Sequence, residues 1–235
     1  MRRTGGERGA TLVELLVAMA MGGLVIAALL QVYVTSLRSD ARTEDRVSAT
    51  ARARLGAERV TTALTSQVCL DAVTPPIKPG STANVLTFYS DPQTPSTTTT
   101  PTANGVRLER LTYDAATRTI LDDRWPGSTE TGTPVRRTLA QDVLVAPGDS
   151  GPFSYFAYND ISGGAAPVAD TEQTPAAGTG LTAAQVALTV RVRVDVVART
   201  TRTKAVDGRS VALGGDAYVQ SLDPLQPELG ARCTA

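Results

Sequence analysis

Histidine is absent from the 235-residue chain. Catalytic triads of the Ser-His-Asp or Cys-His kind, and metal sites built on imidazole, are therefore excluded. Aromatic residues make up only 4% of the chain against 42% apolar residues overall, so a core must rest on Val, Leu and Ala rather than on large rings. There is no excess of either charge, since Lys+Arg and Asp+Glu both number 23. That balance removes any whole-molecule electrostatic attraction to nucleic acid or acidic lipid. The two cysteines, Cys69 and Cys233, are too far apart for metal-ligand spacing and leave one long-range disulfide or two buried thiols. An oxidising compartment favours the bridge.

What is present is concentrated at the N-terminus. From Leu15 to Leu37 there is no charged residue, and a helix of that length crosses a hydrocarbon core of about 30 Å. Arg2, Arg3 and Arg8 precede the segment against Glu7 alone, whereas Arg38, Asp40, Arg42, Glu44, Asp45 and Arg46 follow it in balance. The positive-inside rule then keeps the N-terminus in the cytoplasm and sends the rest of the chain out. Within the segment, Ala18 and Gly22, then Gly23 and Ala27, are small residues four apart, a spacing that lets helix backbones approach closely. Gly22 and Gly23 are also where such a helix is expected to loosen. Glu14 stands at the edge of the apolar stretch, where an ionised carboxylate costs on the order of 1–3 kcal/mol without a partner.

Arg8-Gly9 followed by Ala10-Thr11-Leu12-Val13-Glu14-Leu15-Leu16-Val17-Ala18-Met19 resembles the cleavage and methylation signal of type IV pilins and type II secretion pseudopilins. The resemblance implies a leader at 1–9 cut after Gly9 by a prepilin peptidase, with Ala10 as the new, commonly N-methylated terminus. It also implies that Glu14 pairs with the N-terminal amine of a neighbouring subunit, a buried pair that sets register even when its net energy is small. Most family members begin the mature chain with phenylalanine, and here the residue is Ala10. The partners implied are other pilin or pseudopilin subunits, the peptidase, the assembly machinery, and the bilayer before assembly. The expected destination is a cytoplasmic-membrane precursor that becomes an extracellular or periplasmic filament.

The chain is expected to divide into the leader, an apolar helix at 10–37, an amphipathic continuation at 38–68 and a β-rich domain at 69–235. Val47, Ala51, Leu55, Val60, Leu64 and Val68, mostly four apart, mark the face expected to cover that domain. A single helix from Ala10 to Val68 would be roughly 90 Å long. Ser39-Asp40 is the alternative break, since both residues are good N-caps. The fold class is α+β, a long helix packed by its second half on an antiparallel sheet.

Alternation at Val186, Leu188, Val190, Val192, Val194 and Val196 predicts a strand with one face buried. Further strands are expected at 84–90, 106–113, 117–124, 138–145, 153–158 and 210–219, with Asp114-Ala115-Ala116 turning one hairpin and Asp207-Gly208 before the last strand. The stretches 92–104, rich in Thr and Pro, and 163–180, rich in Gly, Ala and Pro, are expected as surface loops. Of the two, the first has the composition of a solvated or O-glycosylated loop.

Chemistry is sparse in the displayed part. Asp122-Asp123 beside Arg124 is expected as a solvated strand end, and Gly214-Gly215-Asp216 lacks the residues a nucleotide-cyclase signature would need next. Lys78 and Lys204 are the only lysines, and neither follows a Ser-x-x-Lys pattern. Arg191 and Arg193 are candidate phosphate or nucleic-acid contacts, weighed against an ordinary solvated face without interleaved aromatics. No cofactor, no metal and no catalytic residue is expected. The sequence-level function is a structural subunit, a minor pilin or J/W-type pseudopilin, with a non-polymerising tethered binding domain as the alternative.

Overall fold

The structure is a computed structural model that describes residues 11–71, 73–91, 105–158, 171–198 and 211–219. It is an α+β chain with two units, residues 1–47 and 48–235. Helix α1, Leu12–Thr65, is long and apolar at its start. In the first unit α1 opens on Thr11, whose Oγ1 accepts the Glu14 backbone N–H at 3.3 Å, so one orphan donor of the first turn is satisfied by an N-cap. The helix is unbroken at Gly22-Gly23 and at Ser39-Asp40. Two glycines lower propensity by about 1 kcal/mol each without ending a helix flanked by Met, Ala, Leu and Val. Ser39 contributes instead an i+4 contact, its carbonyl accepting the Thr43 hydroxyl at 3.1 Å.

In the second unit the helix buries Ala49, Ala53, Gly56, Val60, Ala63 and Leu64. Of the expected face, Val60 and Leu64 are buried, whereas Leu55 is 53% exposed and Ala51 also faces out. Close approach decides the matter: a Cβ added at Gly56 would lie 2.6 Å from Ala140 Cβ, and one at Gly215 would lie 2.7 Å from Thr61 Oγ1. Around Gly56 small residues therefore face the sheets, Val60 and Leu64 follow one and two turns on, and the larger aliphatic at Leu55 is left outside.

The strands are β1 (Val85–Ser90), β2 (Arg107–Asp114), β3 (Thr119–Arg124), β4 (Val135–Ala140), β5 (Val143–Leu144), β6 (Phe153–Ala157) and β7 (Thr171–Gln173). A short helix α2 (Ala183–Leu188) precedes β8 (Thr189–Ala198) and β9 (Val211–Tyr218). One antiparallel sheet has the order β1-β2-β3-β4; the other runs β5-β8-β6-β7, with β9 paired to β8. Val60, Leu64, Phe88, Leu111, Tyr155 and Val192 belong to one buried core that joins the helix to both sheets. The sheets are stitched by the segment before β1: Tyr155 Oη donates to the Thr82 carbonyl at 2.8 Å, and the Asn84 side-chain amide donates to the Ser150 carbonyl at 3.1 Å.

Several strand expectations shift. The strand expected from Val186 begins at Thr189, because Thr182 and Gln185 form a reciprocal capping box that starts α2. The strand expected at 138–145 splits into β4 and β5 around Asp142, whose φ is +56°. Part of the loop expected at 163–180 is ordered as β7 and as a bridge between Ala176 and Gly180. Between β2 and β3, Asp114 Oδ1 accepts the N–H groups of Ala116 and Thr117, and Arg118 closes the turn at φ +56°. The 92–104 loop, Asp207-Gly208 and Lys204 lie outside the described residues.

Candidate processing and assembly site

Gly9 and Ala10, the residues flanking the expected cut, lie outside the described residues. Glu14 occupies the first turn of α1, on the N3 position counted from the Thr11 cap. Its backbone N–H is used by that cap and the residue is exposed. A carboxylate in a first helical turn is favoured by the helix dipole, which gives Glu14 a local role before any partner is considered. Ala18, Gly22, Gly23 and Ala27 are all exposed, and a Cβ added at either glycine would meet nothing within 4 Å. The surrounding aliphatic surface is equally bare, from Leu12 at 76% exposed to Leu30 at 58%. From Leu12 to Leu37 the helix is largely apolar on every side and carries no charged residue but Glu14, a surface suited to lipid or to packing among like helices and not to water. It is long and apolar enough to cross a membrane.

In the second unit, Asp122 and Asp123 are not a solvated strand end. Both are buried, because β3 is an inner strand paired to β2 and β4. Asp122 Oδ2 accepts from Arg124 Nε at 2.9 Å and Arg137 Nε at 2.7 Å, while Asp123 takes Arg136 in a two-bond fork at 2.6 and 2.8 Å. Glu109, which the sequence reading did not single out, is fully buried on the Asp122 side of the sheet. Its Oε1 accepts from Ser90 Oγ at 2.7 Å and pairs with Arg124 Nε at 3.1 Å. Burial, then the Asp122 charge, pushes the Glu109 carboxyl above its ordinary range, against the opposing pull of Ser90, Arg124 and Arg137. These acids and cations tie strands together.

Arg191 and Arg193 are likewise engaged. The Arg191 guanidinium lies over the Phe156 ring at 4.1 Å, and Arg193 Nε donates to Asp195 Oδ1 at 3.1 Å. Such pairing reduces the positive potential available to a phosphate. Gly214 and Gly215 sit in β9 beneath Asp195 and against Thr61, so their signal in the sequence is one of close packing. Cys69 has no free thiol, and Cys233 lies outside the described residues. Among the described residues no group of three or more Cys, Asp or Glu side chains is placed to hold a metal ion.

No curated protein and no solved structure matches the chain. A family model does match its start, covering the stretch that contains Gly9, Ala10, Glu14 and the small residues of α1. Residues 5–30 carry the prokaryotic N-terminal methylation motif, the signature of prepilin-type precursors of type IV pilins and pseudopilins.

Proposed function

We propose that the chain is a minor structural subunit of a type IV pilus or a type II secretion pseudopilus, assembled through α1. The observation that carries this reading is the coincidence of the methylation motif with a first half of α1, Leu12 to Leu37, that is largely apolar on every side and carries a single charged residue, Glu14, in its first turn. Before assembly the precursor sits in the cytoplasmic membrane, N-terminus inside, with the β-rich part outside. A prepilin peptidase cuts between Gly9 and Ala10, and Ala10 is then N-methylated. In the filament Glu14 meets the terminal amine of a neighbouring subunit, each charge neutralising the other where water is scarce. Ala18, Gly22, Gly23 and Ala27 let neighbouring helices approach.

A large displayed part without a short C-terminal cysteine loop favours a minor over a shaft position. Its role there is structural or adhesive, and a bridge from Cys69 to Cys233 would tie the end of the helix to the chain terminus. That bridge closes a loop of more than 150 residues, for which chain entropy allows about 4–5 kcal/mol of stabilisation.

Mass spectrometry of the mature protein tests the cut, and any N-terminus other than Ala10 refutes it. Gly9→Leu is expected to block processing. Glu14→Ala is expected to insert and be cut normally but to be lost from filaments; normal incorporation removes the pairing role. Full processing with no filament association in the wild-type chain would favour a tethered, non-polymerising binding domain.

A further inference from the structure

On the side of the first sheet opposite Glu109, strands β1 and β2 present Thr87 directly across from Arg110 and Val85 across from Thr112. With Lys78, Pro79 and Gly80 along one side and Glu130 at the end, these residues line a groove of about 500 Å³. Two cations converge in it on a single carboxylate. Lys78 Nζ lies 3.1 Å from Glu130 Oε1, and Arg110 Nη2 pairs with Glu130 Oε2. Both hydrogen bonds hold the Glu130 carboxyl below its ordinary range. Asp123, the cross-strand neighbour of Arg110, is held by the Arg136 fork. Among the described residues that line the groove, Lys78 and Arg110 face Glu130 alone, one more positive than negative charge.

Glu130 belongs to the turn segment between β3 and β4, not to a strand. Its side chain is 38% exposed, and ion pairs at such exposure contribute little net stability. We propose that Lys78 and Arg110 form a carboxylate-binding site, that Glu130 is its resident occupant, and that a glutamate-bearing peptide segment of a partner protein displaces Glu130. The choice of a peptide rests on the resident itself: a glutamate in the run Gly127-Ser128-Thr129-Glu130-Thr131-Gly132 already satisfies both cations. Arg110 supplies a planar fork matched to a carboxylate, and Lys78 adds a mobile charge. The Thr112 hydroxyl, which lines the groove and is partly exposed, is suited to the peptide's amides. As a tethered competitor, Glu130 acts at a high effective concentration and masks the site from weak ligands.

Trp125, the only tryptophan of the chain, reports on this site, because the Arg110 guanidinium stacks 5.0 Å from its ring centroid. The full chain in detergent is titrated with the acetylated, amidated hexapeptide Gly-Ser-Thr-Glu-Thr-Gly while Trp125 fluorescence is followed. Glu130→Gln is expected to bind it at least about tenfold more tightly than wild type, since the tethered competitor is gone. The same peptide with Gln for Glu, and the double variant Lys78→Gln with Glu130→Gln, are expected to lose that gain.

Equal binding of the Glu and Gln peptides, or tighter binding of inorganic phosphate or oligogalacturonate than of the peptide, overturns the assignment. Should Glu130→Gln fail to fold, Glu130→Ser and the wild-type chain at raised peptide concentration read the same competition. Absence of any Glu-dependent change in all of them also overturns it.

Discussion

Gly56 of α1 and Ala140 of β4 approach so closely that a Cβ on the glycine would lie 2.6 Å from the alanine Cβ. This contact seats the C-terminal part of the helix on the first sheet, and it explains why the helix turns its smallest side chains inward. Replacing Gly56 by alanine gains about 1 kcal/mol of helix propensity but forces the helix off the strand. Gly56→Val adds two further carbons and a β-branch, so it is expected to destabilise by about 1–3 kcal/mol, the usual penalty of overpacking. Thermal unfolding followed by circular dichroism, with Leu55→Val on the exposed face as the neutral control, measures this.

Glu109 makes stability depend on pH. Its carboxyl is raised in the folded chain above the ordinary value of 4.5, so between those two values the native state holds a proton that the unfolded state has lost. Stability from this group is then fully present below about 4.5 and declines as pH rises through the window. Glu109→Gln removes the titration. The wild-type chain is expected to lose stability relative to this variant between pH 4 and pH 7, as read by denaturant midpoints. A constant difference across that range would refute it.

Thr182 caps α2, accepting the Gln185 N–H at 3.2 Å while Gln185 Oε1 accepts the Thr182 N–H at 2.9 Å. Thr182→Ala is expected to cost about 1 kcal/mol, with Gln185→Ala giving a smaller loss. A double-mutant cycle between the two checks the coupling.

The same residues show where local patterning speaks and where it stops. The alternation Val190, Val192, Val194, Val196 revealed the inner face of β8, and all four are buried. Val186 and Leu188 continue that alternation in phase, so the period alone extends the strand into α2. The signal that separates them is Thr-x-x-Gln at 182–185, a capping box visible in the sequence. The helix face was legible in part: Val60 and Leu64 are buried as their spacing predicts, but spacing also weighted the large residue Leu55, whereas backbone proximity, which sequence does not carry, selected Ala49, Ala53 and Gly56.

Glu14 stands out in the sequence because its position relative to Gly9 is a linear pattern. The pairing of Lys78 with Glu130, 52 residues away, was not, because it depends on which turn returns to which strand.

Asp122 supplies the most severe test of the buried ion pairs. Its Oδ2 is shared by Arg124 and Arg137, and its side chain is fully buried. Asp122→Asn keeps the shape but removes the charge both guanidinium groups face. Arg124 retains Glu109 as a partner, whereas Arg137, with about half its side chain exposed, can turn to water. The loss should therefore fall at the low end of the range for breaking a buried pair, about 3 kcal/mol. Adding Arg137→Leu to Asp122→Asn should cost less than the sum of the two single losses, because with Asp122 neutral Arg137 has no ion pair left to lose. Chemical denaturation of the two single variants and the double variant measures the coupling, and strictly additive losses would show that the pair contributes no mutual stabilisation.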